Sequence, residues 1–66
     1  MPMKVREVAA ALERNGWTLV RQRGSHRHYR HPDVPFVITL AGKASTTVPP
    51  GTLGSIRRTS GLEELR

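Results

Sequence analysis

The stretch Arg23-Gly24-Ser25-His26-Arg27-His28-Tyr29 decides how this chain is read. Its glycine can take the positive φ that a hairpin turn needs, and the residues after it follow the period-two pattern of a strand. On a strand, residues i and i+2 share a face, so His26 and His28 stand side by side while Tyr29 points the other way. Arg23-Gly24-Ser25 reads as a three-residue hairpin loop joining a strand from Trp17 to Gln22 with one from His26 to His31. Within the first strand, Trp17, Leu19 and Arg21 alternate with Thr18, Val20 and Gln22. If Gln22 pairs with His26, Val20 faces His28 and Leu19 faces Tyr29. That register collects Trp17, Leu19 and Tyr29 on one face and His26, His28 and Arg30 on the other.

Upstream, Val5, Val8, Ala9 and Leu12 fall at i, i+3, i+4 and i+7, the spacing of an amphipathic helix from about Lys4 to Asn15. Asn15-Gly16 then supplies the left-handed residue that ends it. Downstream, Pro32-Asp33-Val34-Pro35 has turn composition, and a third strand runs from Phe36 to Leu40. Phe36, Ile38 and Leu40 are expected to join Tyr29 in the core, leaving Val37 and Thr39 beside the histidines. Ala41 to Val48 is a loop with Lys43 as its only charge. Early prolines (Pro49, Pro50) and a late glycine (Gly61) bracket a short second helix, whose apolar side is Leu53 and Ile56. Gly54 weakens that helix but permits close packing on the sheet. Leu62 and Leu65 offer a last apolar contact.

The order is therefore helix, three strands, helix, a single α+β domain over residues 1–66. A single-layer sheet needs its apolar face covered, and the two helices are the only candidates, so both are expected on that face. The layout matches a double-stranded-RNA-binding-domain-like fold.

At 66 residues the chain is near the size where one core barely suffices, so an active site is expected on the surface and shallow rather than enclosed. Eleven Lys plus Arg against five Asp plus Glu give a net charge of +6, which favours a polyanionic partner. Five arginines, three histidines and no acid lie between Arg14 and His31. With no cysteine, disulfides and thiolate metal sites are excluded. No apolar run approaches membrane-spanning length and no signal-peptide core is present, so a cytoplasmic location and no membrane partner are expected.

Several segments together resemble a known family. Lys4-Val5-Arg6-Glu7-Val8, Asn15-Gly16-Trp17, Gly24-Ser25-His26, Tyr29-Arg30-His31-Pro32 and above all Val48-Pro49-Pro50-Gly51-Thr52-Leu53 with Ser55-Ile56 are similar, in order and spacing, to the HicA toxins. The resemblance implies a double-stranded-RNA-binding-like fold, metal-independent and ribosome-independent cleavage of mRNA, no cofactor, and inhibition by a HicB-type antitoxin. It carries the family's catalytic histidine, the one in Gly-Ser-His, onto His26. It assigns no catalytic role to His28, which lies where family members vary. Arg57-Arg58-Thr59-Ser60 departs from the commoner lysine, glutamine and alanine pattern.

The chemistry of the residues is compatible with that activity. RNA is cut without a metal when a base takes the proton of a 2′-OH and an acid protonates the departing 5′-oxygen, and histidine suits either role. Cationic neighbours favour the neutral imidazole, so His26 is read as the base, with the acid unassigned and His28 its nearest candidate. Arg23, Arg30 and Lys43 can steady phosphate charge, and Gly24, Ser25 and His28 are expected to contact the RNA with them. DNA lacks the 2′-OH, so RNA specificity is expected. His31 belongs to the turn or the core. A His-X-His pair can also bind zinc, but a third ligand is missing, and Asp33 is the only nearby acid. Trp17, Tyr29 and Phe36 share the core face, which favours packing over base stacking. The alternative to an enzyme is a non-catalytic RNA-binding module that uses the same fold and arginines only to hold phosphates.

Overall fold

In the computed structural model, which describes residues 2–65, the first apolar stripe forms α1 (Val5–Arg14) and buries Val5, Val8, Ala9, Ala11 and Leu12. Its first turn is closed by Glu7, whose carboxylate accepts the Lys4 backbone N–H at 2.8 Å, the acidic half of a capping box. The next free donors, Val5 N–H and Arg6 N–H, go to Thr46 O at 2.9 Å and Ala44 O at 3.1 Å. The loop after the sheet is thereby fastened across the helix N-terminus, where unpaired N–H groups need partners. Gly16, at φ 88°, ends the helix as expected, and a side chain there would meet His31 Nε2 at 3.0 Å.

Three antiparallel strands follow, β1 (Thr18–Arg23), β2 (His26–His31) and β3 (Val34–Ala41), in the order β1-β2-β3, and α2 (Pro50–Ser60) completes the α-β-β-β-α domain. The core gathers the α1 stripe, Trp17, Tyr29, Ile38, Leu40, Val48, Leu53, Ile56 and Leu65 in one cluster, so both helices serve the same face of the sheet. Tyr29, Leu12, Leu40, Leu65, Val5 and Val8 are fully buried. Burial of this kind is worth about 1.5–3 kcal/mol for each large side chain, which makes the inner residues of β2 and β3 the anchor of the opposite face. Burial is also the main reason the Tyr29 phenol is pushed above its ordinary pKa, with the Glu13 carboxylate adding to the effect and Arg27 opposing it.

Two irregularities correct the sequence-based register. The hairpin loop is Gly24-Ser25 alone, with Arg23 opposite His26, Gln22 opposite Arg27 and Arg21 opposite His28. Gly24, at φ 59°, has the positive φ that a two-residue hairpin turn asks of its first central residue. Leu19 nevertheless faces Tyr29 as expected, because the ladder shifts between Leu19 and Arg21 and leaves Val20 as one extra residue, a β-bulge. Beyond the bulge the alternation is reversed, so Arg21 stands on the histidine face rather than with Trp17 and Leu19. Trp17 itself precedes β1 but is buried.

The second irregularity lies between β2 and β3. Tyr29 pairs with Ile38 and His31 with Val34, so three residues of β3 oppose the single Arg30. Phe36 falls in this excess and is 65% exposed, not packed beside Tyr29 and Ile38. Pro35, which has no N–H to give a ladder, sits in the same stretch on an edge strand, where proline is tolerated. The turn is correspondingly shorter than expected, since Val34 and Pro35 already belong to β3.

Helix α2 begins with Pro50 and stops at Gly61, whose φ of 72° and N–H bond to Arg57 O at 2.8 Å make a left-handed C-terminal cap. Gly54 is buried, but a side chain there would meet the Arg58 guanidinium at 3.4 Å rather than the sheet, so close sheet packing is not its role. The tail returns to the body as anticipated. Leu65 is buried, Leu62 packs at the margin, and Glu64 accepts Asn15 Nδ2 at 3.0 Å.

Candidate functional site

Helices on one side leave the other face of the sheet open, and the alternation of β2 puts His26, His28 and Arg30 on it. Tyr29, fully buried between them in sequence, fixes which way they point. Directly across the ladder, Arg23 stands opposite His26 and Arg21 opposite His28 from β1, while Ala41 and Thr39 stand opposite the same two histidines from β3. The face is therefore a row of imidazole and guanidinium groups. The acids lie elsewhere: Glu7 and Glu13 on α1, Asp33 in the β2–β3 turn, and Glu63 and Glu64 in the tail.

His26 is exposed at the turn end of β2, and His28 is half-buried in the middle of the sheet. Their side chains start about 7 Å apart, two residues at about 3.3–3.4 Å each. His28 Nδ1 lies 3.1 Å from Thr39 Oγ1, a hydrogen bond that engages one ring nitrogen and leaves the other, Nε2, for a different partner. Val20, Arg21, Arg30 and Val37 complete a hollow of about 260 Å³ around this ring. The bulge is what brings Val20 and Arg21 to it together. A second groove, between β3 and α2, is lined by hydroxyls of Thr39, Thr52, Ser55 and Thr59.

The structure thus gathers Arg23, His26, His28 and Arg30 on one surface. Gly24 and Ser25 form the turn at its end, and the space around Gly24 is open, so its requirement for glycine is the backbone angle alone. Gly42 N–H donates to Ser25 O at 3.2 Å and holds the Lys43 loop against that turn. His31 is separate, as expected. Its Nδ1 accepts the Asp33 N–H at 3.0 Å, and its ring leans on Trp17 at 5.4 Å between centroids. Among the described residues, no three His, Cys, Asp or Glu side chains gather where they could hold a metal ion.

Arg21 is the site residue that sequence reasoning missed. The signal was present in combination: a two-residue Gly-Ser turn and a Leu19–Tyr29 pair cannot both hold in a regular ladder, and one extra residue between them flips Arg21 outward.

No described helix is long and apolar enough to cross a membrane. No curated protein matches the chain. The family model for the HicA toxin of bacterial toxin-antitoxin systems matches residues 5–62, which includes both helices, all three strands and every residue of the open face described above. The chain belongs to the HicA toxin family, the toxin partners of bacterial toxin-antitoxin systems.

Proposed function

We propose that the protein is an endoribonuclease that cuts mRNA in the cytoplasm, with His26 in acid-base catalysis, and that a HicB-type antitoxin neutralises it. The observation that carries this reading is the placement of His26 on an uncovered, acid-free sheet face beside Arg23, His28 and Arg30 in a chain of this family. An open face suits a long polymer, and the guanidinium row suits its phosphates.

In the proposed reaction His26 takes the proton of the 2′-OH, and the 2′-oxygen attacks the adjacent phosphorus. The bond to the 5′-oxygen breaks as that oxygen takes a proton from a general acid, leaving a 2′,3′-cyclic phosphate on one fragment and a 5′-OH on the other. Arg23, Arg30 and Lys43 offset the charge that builds on the phosphoryl oxygens, and Gly24 and Ser25 let the RNA backbone approach the turn. A general base of this kind is worth about 10²- to 10⁴-fold in rate. The displacement uses only proton transfer and charge stabilisation, so cleavage is expected to persist in excess chelator. The antitoxin, for its part, would present acidic groups to the same face.

Purified parent protein is expected to cut single-stranded RNA in chelator, and His26→Ala to bind the same RNA with similar affinity while cutting it at least a hundredfold more slowly, as loss of a general base requires. Equal cleavage by both would remove His26 from the mechanism. Binding without cleavage by the parent would make the domain an RNA-holding module.

A further inference from the structure

The Thr39–His28 hydrogen bond supplies what the proposed reaction lacks, a group to protonate the leaving oxygen. We infer that His28 is the general acid of the site and that Thr39 is its positioning residue, an inference that rests on the ribonuclease reading. Three observations converge on it. His28 shares the open face with His26, and the separation of about 7 Å between their side-chain origins leaves room for one phosphodiester between the rings. In-line displacement puts the attacking 2′-oxygen and the departing 5′-oxygen on opposite sides of phosphorus, so base and acid must flank it in this way. The Thr39 hydroxyl at 3.1 Å from Nδ1 then fixes which nitrogen does the work.

The proton inventory closes on this arrangement. Before transfer His28 is an imidazolium, its Nδ1–H donated to Thr39 Oγ1 and its Nε2–H free for substrate. The 2′-oxygen bonds to phosphorus and its proton goes to His26. The P–O5′ bond breaks, its electron pair stays on the 5′-oxygen, and that oxygen takes the Nε2 proton. His28 is left neutral with Nδ1–H still donated to Thr39, so the same hydrogen bond serves both states. Arg21 and Arg30 line the hollow with His28, where their guanidinium groups can hold the scissile phosphate against the ring. Solvent resets the two rings between turnovers, since His26 is exposed and the hollow around His28 is open.

The test compares ordinary RNA with RNA whose scissile 5′-oxygen is replaced by sulfur, a leaving group that departs without a proton. His28→Ala is expected to lose about 10²- to 10⁴-fold on ordinary RNA and to regain nearly the parent's rate on the sulfur substrate. Thr39→Val should show a partial loss with the same recovery, and Thr39→Ser, which keeps the acceptor, should behave as the parent does. His26→Ala should stay slow on both. A loss in His28→Ala that is equal on the two substrates, or no loss at all, overturns the assignment of the acid while leaving His26 and the ribonuclease reading intact. A parent protein that cuts neither substrate overturns that reading and this inference with it.

Discussion

Deleting Val20 is expected to leave the fold and the histidine face in place. In the native ladder Arg21 faces His28 and Leu19 faces Tyr29, with Val20 extra between them. Removing it makes Arg21 and Leu19 consecutive, and every observed pair of the hairpin then falls into a regular register. The energetic terms are small and opposed. Val20 is 54% exposed, so the deletion forfeits less than half of a valine's burial, about 1 kcal/mol. A continuous ladder gains one backbone hydrogen bond, worth about 0.5–1.5 kcal/mol. The net change is within about 1 kcal/mol, which for a domain of this size keeps Tm within about 8 °C of the parent. Thermal unfolding followed by circular dichroism gives the first number, and NMR contacts between Leu19 and Tyr29 and between Arg21 and His28 give the register. Loss of folding, or retention of stability with Arg21 transferred to the helix-covered face, would refute the bulge as the device that turns Arg21 outward.

Three further outcomes follow from the same structure. The phenol of Tyr29 is raised by burial, so the folded state holds its proton where the unfolded chain, with an ordinary pKa of about 10, releases it. Stability is therefore complete below about pH 10 and falls as pH rises from there through the folded value, and Tyr29→Phe should flatten that decline in urea titrations between pH 9 and 11. Arg21→Ala should weaken RNA binding and make the dependence of log Kd on log salt shallower by about 0.7, whereas Arg6→Ala, on the helix-bearing side, should leave the slope unchanged. Gly24→Ala has free space for its methyl but an unfavourable φ, so melting should report a loss of about 1–2 kcal/mol, with Gly24→Asn losing less.

Much of this architecture was legible because it depends on period and punctuation. The α1 stripe, the glycine stop at Gly16, the alternation through Tyr29 and the Pro50-to-Gly61 bracket of α2 each have a local cause, and each element lies where its cause places it. From the alternation in β2 comes the outward pair His26 and His28. What escaped was register. Neither Val20 as a bulge nor the excess of residues around Phe36 leaves a mark on a single strand, because each is a count of one strand against its neighbour. Phe36 is apolar and in phase with Ile38, yet it lies past the last paired core residue and stays exposed. For the same reason strand period alone puts Arg21, whose face depends on the bulge, on the core side, while it puts Thr39, in the regular part of β3, beside the histidines, where it is bonded to one of them.

The proposed attack by the neighbouring 2′-OH, driven by a histidine base, leaves its signature on the ends of the cut RNA. Purified protein in excess chelator, given one defined single-stranded RNA, should yield fragments ending in a 2′,3′-cyclic phosphate and beginning with a 5′-OH, and a single 2′-deoxy substitution at the cut nucleotide should abolish that cut. Fragments with 3′-OH and 5′-phosphate ends, or cleavage that survives the 2′-deoxy substitution, would contradict it.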